Sequence, residues 1–183
     1  MKKILFIHIK DPTTDFLETV YEDRRDCTIV RGNLSVTLMN DLIDYHDQVV
    51  MMGHGSSNGL FGVNGQYIIN YSNAEALRSK NNNIFIWCYA KAFAKQFNLP
   101  GFCTNMFISE DAEARYILGK DKYVEAPESI LESNNLFVTL VKRYLDSPIA
   151  VMSESIIREY CAENLASEYK EVINYNNHGL TLF

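Results

Sequence analysis

Residues 48–59 read QVVMMGHGSSNG, a continuous apolar run that breaks into seven small or polar residues built on three glycines. A run without polar alternation is what a strand buried on both faces of a parallel sheet requires. The stretch from residue 53 to 59 would interrupt any regular element, so the strand must lead straight into a special loop, and that loop carries His54.

Reading outward toward the C-terminus, residues 73–80 are helix-compatible, and Asn81, Asn82 and Asn83 break the chain before the apolar run 84–87, which delivers Cys88 at its end. AKAFAKQF (90–97) is predicted helical up to Pro100 and Gly101. FCTNMFIS (102–109) is predicted as a strand and EDAEARYIL (110–118) as a helix. Toward the N-terminus, Ser35 opens a helix over 36–46 with Leu38, Leu42 and Ile43 on one face. CTIVR (27–31) is a β-branched strand closed by Gly32 and Asn33, and residues 13–24 form a short helix behind the cap candidates Thr13 and Thr14. Residues 3–9 are a first strand that ends at Asp11 and Pro12. Strand and helix alternate throughout, so the fold class is α/β, with a mostly parallel sheet covered by helices on both faces. The last third holds two longer amphipathic helices, 127–145 and 148–169, and 173–183 is expected to finish as an edge strand or hairpin.

With 183 residues, and with no repeat, linker or low-complexity segment, the chain is expected to form a single domain over 1–183. A net charge of -6 gives no basic footprint, so nucleic acid is not an expected partner. The apolar run near the N-terminus is short and lacks a small-residue cleavage site, and no stretch is long and apolar enough for a membrane span. A cytoplasmic protein without membrane association is the expectation. Cys27, Cys88, Cys103 and Cys161 are widely spaced with no paired motif, so free thiols are expected and no metal site or cofactor is indicated.

In an open parallel sheet, the carboxyl ends of the strands project into one crevice, where sites are built. His54 and Cys88 each follow an apolar strand, and the two strands are consecutive in the chain, which favours their being neighbours in space. A thiol becomes a nucleophile only as the thiolate, and an imidazole is its usual base. Gly55 lets the backbone approach closely, so its N–H can serve a developing oxyanion.

The order strand, His-Gly, short insertion, strand, Cys, here VVMMGHGSSNGLFG (49–62) and IFIWCYA (84–90), resembles the caspase-like (clan CD) cysteine peptidases, including bacterial CHAT proteases, over residues 1–119. The resemblance implies a caspase-like, Rossmann-like domain and a cysteine endopeptidase of a bacterium or phage acting on protein or peptide, without a cofactor. It implies Cys88 as nucleophile, His54 as general base and acid, and the N–H groups of Gly55 and Cys88 as oxyanion donors, with no third catalytic residue. It also implies a regulated enzyme, with room for an activating protein partner. The family's pocket for the residue before the cleaved bond is lined from the end of the first strand and from segments after the cysteine. In this chain those places hold Asp11, Asp15, Glu110 and Asp111, which charge complementarity matches to a basic side chain, so cleavage after Arg or Lys is the expected specificity.

Two other readings stay open at this stage. Trp87 and Tyr89 flank the cysteine where the family places a small residue before it, which fits a catalytically inert protein-binding module whose cleft they fill. The GHGSSNG loop can also be read as a phosphate cradle for a nucleotide or signal molecule, although it has neither GxGxxG nor GxxxxGK[ST]. A nucleophile elbow would read GxCxG, and a phosphatase loop would need arginine where Ala94 stands.

Overall fold

Successive side chains of a strand point to opposite faces, and that period assigns the apolar residues to two cores. The computed structural model describes residues 2–119, 127–161 and 170–183. Its main sheet contains β1 (Ile4–His8), β2 (Cys27–Val30), β3 (Gln48–Met52), β7 (Asn83–Ile86), β8 (Gly101–Cys103) and β9 (Thr181–Leu182), in the order β2-β1-β3-β7-β8-β9. The first five are parallel and β9 runs antiparallel to β8. Between β3 and β7 lies a second, three-stranded antiparallel sheet of β4 (Gly55–Ser56), β5 (Gly59–Phe61) and β6 (Tyr67–Ile69).

Ile4, Phe6, Val50, Met52, Ile84 and Ile86 face one side, where a 3-10 turn (Asp15–Val20) and the helices α5 (Pro127–Tyr144), α6 (Ile149–Glu159) and α7 (Lys170–Gly179) cover them. Leu5, Ile7, Val49, Met51, Phe85 and Trp87 face the other, under α1 (Val36–Tyr45), α2 (Ala74–Arg78) and α3 (Ala90–Phe97). The remaining helix, α4 (Asp111–Leu118), packs Ala114 with Ile108, Ile130 and Val172 beside the C-terminal helices. The architecture is therefore mixed α/β with a mostly parallel sheet and helices on both faces. Among the described residues, no helix is long and apolar enough to cross a membrane.

Several elements differ from the sequence reading, each for a local reason. The loop after β3 is a hairpin: Gly55 pairs with Leu60 and Ser56 with Gly59 across the two-residue connection Ser57-Asn58. Of the predicted strand 102–109 only Phe102 and Cys103 pair, with Gly101 added before them, and beyond them Thr104 turns its hydroxyl back onto the chain at Trp87. Residues 173–179, read as strand or hairpin, are helical within α7, where Val172, Ile173, Asn176 and Gly179 bury one helical face. The buried Asn176 side chain accepts from Ile108 N (2.7 Å) and donates to Ile108 O (3.0 Å), which fixes the path of the segment after β8. The predicted edge strand is shortened to β9. The second long helix ends at Glu159, and 162–169 of its predicted range lie outside the described residues. In α1 the core contacts come from Met39 and Ile43, while Leu38 faces solvent.

His8 closes β1 in the core, with Nδ1 2.9 Å from the Tyr21 hydroxyl and Nε2 without a hydrogen-bond partner among the described residues. Burial pushes its imidazole from the ordinary 6.5 down to about 4. The folded state thus favours neutral His8, and the stability it contributes is complete above about pH 6.5 and is lost as pH falls toward 4, where the unfolded chain binds the proton more readily. Urea unfolding between pH 6.5 and 4 is expected to show a steeper loss of stability for the wild type than for His8→Phe. Equal slopes would contradict this account of His8.

Candidate active site

The pairing of β3 with β7 places the two sequence-predicted catalytic residues. Val49 lies opposite Asn83 and Met52 opposite Ile86, and Gly53 N still donates to Ile86 O at 3.1 Å. The same offset carried two residues further sets His54 against Cys88. Both side chains line one crevice at the carboxyl end of the sheet.

Each residue is held from behind. Thr104 Oγ1 accepts from Trp87 N (3.1 Å) and lies 2.9 Å from Trp87 O, which fixes the end of β7 one residue before the thiol. Tyr89 then adopts left-handed backbone angles (φ 66°, ψ 21°) to turn the chain into α3, so Cys88 sits on a sharp strand-to-helix turn. Trp87 is buried against Phe85 and Phe93, and its Nε1 donates to Ser56 O at 3.0 Å. Its indole therefore lies under the hairpin rather than in the cleft. Tyr89 stays half exposed at the rim.

The imidazole of His54 is oriented by the turn after β1. Its Nε2 lies 2.6 Å from Thr13 Oγ1 and 3.3 Å from Asp11 Oδ2. Thr13 also donates to Asp11 Oδ1 through its hydroxyl (2.6 Å) and its amide (2.9 Å), and Thr14 Oγ1 donates to Oδ2 at 3.2 Å. A hydroxyl has one proton, and the carboxylate can only accept it, so Thr13 Oγ1 must receive its second hydrogen bond from His54 Nε2–H. The neutral tautomer fixed in this way leaves Nδ1 as the basic nitrogen. Burial alone would raise the Asp11 carboxyl, but the hydroxyl and amide of Thr13, the His54 imidazole and Thr14 together hold it below the ordinary carboxylate range.

Cys88 is turned the other way. Its Sγ contacts Phe107 O at 3.9 Å and Glu113 Oε1 at 4.0 Å, and these, not His54, are its hydrogen-bond partners among the described residues. Glu113 is fixed in turn, with Oε2 accepting from Ser109 N (2.8 Å) and Ser109 Oγ (3.1 Å). Burial pushes the Cys88 thiol up to about 11; a main-chain hydrogen bond at Phe107 pulls it back, and the carboxylates of Glu113 and Glu110 add to the rise.

The four predicted specificity acids divide into two groups. Asp11 lines the open cleft but is tied to His54, and Glu110, at the start of α4, is close enough to Cys88 to act on its charge. Asp15 lies outside the crevice beside Lys10 (4.0 Å), and Asp111 pairs with Arg115 one turn along α4. Glu113, which the sequence offers only as an acid in a helical first turn, shares the cleft with Asp11, Phe61, Tyr89 and Met106. A second, apolar slot runs inward from His54 and Cys88 between Phe16, Leu17, Ile86, Phe107 and Phe137. The sequence marks Thr13 only as a helix-cap candidate and Glu113 only as an acid in a helical first turn, and neither reading points to the site.

The glycine loop also takes a definite form. Within it, Asn58 N donates to the Ser56 hydroxyl, and from β5 Phe61 N donates to His54 O. A Cβ on Gly55 would lie 2.2 Å from Trp87 Cδ1 and 2.6 Å from Gly59 O, so no larger residue fits while the indole stays in place. Gly55→Ala is expected to lower unfolding stability by roughly 1–3 kcal/mol through this overpacking. Urea denaturation with an unchanged midpoint would show that the hairpin does not lie on Trp87 as described. Compared with known proteins, the chain matches no family model, no curated protein and no solved structure.

Proposed function

We propose that the chain is a caspase-like cysteine endopeptidase, with Cys88 as nucleophile and His54 as general base and acid. The observation that carries this reading is the register of β3 and β7, which brings a histidine with an oriented tautomer and a cysteine on a sharp turn into one crevice. Two independent networks, Asp11-Thr13 behind the imidazole and Thr104 behind the thiol, hold the pair in place, as a catalytic constellation requires.

In this reading, His54 Nδ1 takes the thiol proton as Cys88 Sγ adds to the scissile carbonyl carbon. The N–H groups of Gly55 and Cys88 receive the oxyanion. Collapse breaks the C–N bond, the imidazolium returns its proton to the leaving amine, and a thioester remains on Cys88. Water, deprotonated by the same imidazole, then hydrolyses the thioester and restores the thiol. Asp11 is a positioning residue here: acting through Thr13, it keeps Nε2 protonated so that Nδ1 stays free.

The open cleft carries the carboxylates of Asp11 and Glu113 beside aromatic and aliphatic surface from Phe61, Tyr89 and Met106. That combination suits a long cationic side chain, whose stem packs while its head pairs, and it supports cleavage after Arg or Lys. Glu113 carries this specificity, with Glu110 nearby, in place of Asp15 and Asp111, while Asp11 is committed to His54.

A mixed peptide library incubated with the protein and read by mass spectrometry is expected to show cuts after Arg or Lys that vanish in Cys88→Ala and in His54→Ala. Asp11→Asn is expected to lower kcat by roughly ten- to a hundredfold with a smaller change in KM, because it acts on the base rather than on binding. Cuts that persist in Cys88→Ala would end the peptidase assignment. Cuts after other residues would end only the specificity.

A further inference from the structure

Cys88 and His54 share a crevice, yet the thiol hydrogen-bonds the segment after β8 and the imidazole hydrogen-bonds the turn after β1. We infer that Glu113 is a latch on the nucleophile: it holds Cys88 protonated and turned away from His54 until a cationic substrate group pairs with its carboxylate. The inference rests on the reading of Cys88 as the nucleophile, and it makes substrate recognition and nucleophile release a single event.

The geometry is specific to Glu113. Its two oxygens have different partners: Oε2 is anchored by the Ser109 amide and hydroxyl, and Oε1 is left facing Cys88 Sγ. The anchor is rigid, because Ser109 O accepts from the Asn134 side chain (3.0 Å) and the preceding Ile108 is bonded through both main-chain groups to buried Asn176. The carboxylate thus sits on a braced segment and not on a free helix end.

The charges around the thiol act in one direction. Burial is the largest influence against a thiolate, and Glu113 and Glu110, facing the sulfur from the start of α4, add to it. The Tyr175 phenol of α7 lies within electrostatic range of Cys88 and is itself raised, chiefly by burial. His54 across the crevice is the group able to take the proton, and it is engaged with Thr13 and Asp11. A guanidinium or ammonium placed in the cleft would neutralise Glu113 and remove the strongest like charge facing the sulfur. A neutral side chain would leave the latch closed.

The test is the alkylation rate of each cysteine by iodoacetamide, followed by peptide mass spectrometry from pH 6 to 11. In the wild type, Cys88 modification is expected to rise with pH toward a midpoint near 11. Glu113→Gln, which keeps an acceptor for Ser109, is expected to speed Cys88 alkylation at neutral pH by roughly threefold or more and to lower the midpoint. Glu110→Gln is expected to act in the same direction to a smaller extent. Cys27 and Cys161 should keep their wild-type rates, and buried Cys103 should stay unreactive, which marks both variants as folded. Hydrolysis of matched arginyl and norleucyl peptides supplies the second readout: Glu113→Gln should lose most of the preference for arginine. Unchanged Cys88 reactivity in both variants would overturn the latch even where the wild type cuts peptides. Accelerated alkylation without any peptide cleavage would keep the latch and end the peptidase reading.

Discussion

The parallel pairing of β3 with β7 is the constraint on which the site depends. Each strand alone is an apolar run whose end is unspecified in space. Once Met52 lies opposite Ile86, a single residue separates each from the site, Gly53 before His54 and Trp87 before Cys88, and the side chains must emerge at one level of the sheet. A slip of β7 by one residue would turn Ile84 and Ile86 toward α1 to α3 and Phe85 and Trp87 toward α5 to α7, out of step with β3. The cost of that slip fixes the register, and the register fixes the site. Trp87 adds to this constraint because its indole, set by the same alternation, is the floor on which Gly55 and the hairpin rest.

The elements that refine the site come from elsewhere in the chain, and they pull its two halves apart. The turn after β1 reaches His54 through Asp11 and Thr13, while the segment after β8 reaches Cys88 through Phe107 and Glu113. That segment is held in place by Asn176 of α7 and Asn134 of α5. The C-terminal helices therefore do more than cover one face of the sheet. Through two buried amide side chains they set the position of the carboxylate that faces the thiol, and a change in their packing would reach the nucleophile along that path.

Much of this was legible in the sequence because it depends on periodicity and on punctuation by glycine. The apolar runs ending at Met52 and Trp87, the abrupt glycines of residues 53–59 and the cap at Ser35 are local signals, and the α/β alternation and the placement of His54 and Cys88 followed from them. What was not legible depends on contacts between distant residues. Residues 173–179 are rich in Asn and end in Gly, which reads as a turn, yet they form a helix because Asn176 and Ile173 have buried partners far along the chain. The acids near the crevice look alike in the sequence, and only tertiary contacts separate Asp11 and Glu113, which face the pair, from Asp15 and Asp111, which meet Lys10 and Arg115. The hairpin within GHGSSNG was hidden for a related reason: its strands are two and three residues long and draw their stability from Trp87 beneath them.

The most direct measurement of the central claim is covalent capture of the nucleophile by a peptidyl chloromethyl ketone that ends in arginine, read by intact mass and by the mass of the labelled peptide. One equivalent bound at Cys88, absent in His54→Ala and slower for the matching norleucyl reagent, is the predicted result. Labelling at Cys27 or Cys161 in preference to Cys88, or labelling of Cys88 that is indifferent to His54, would contradict it.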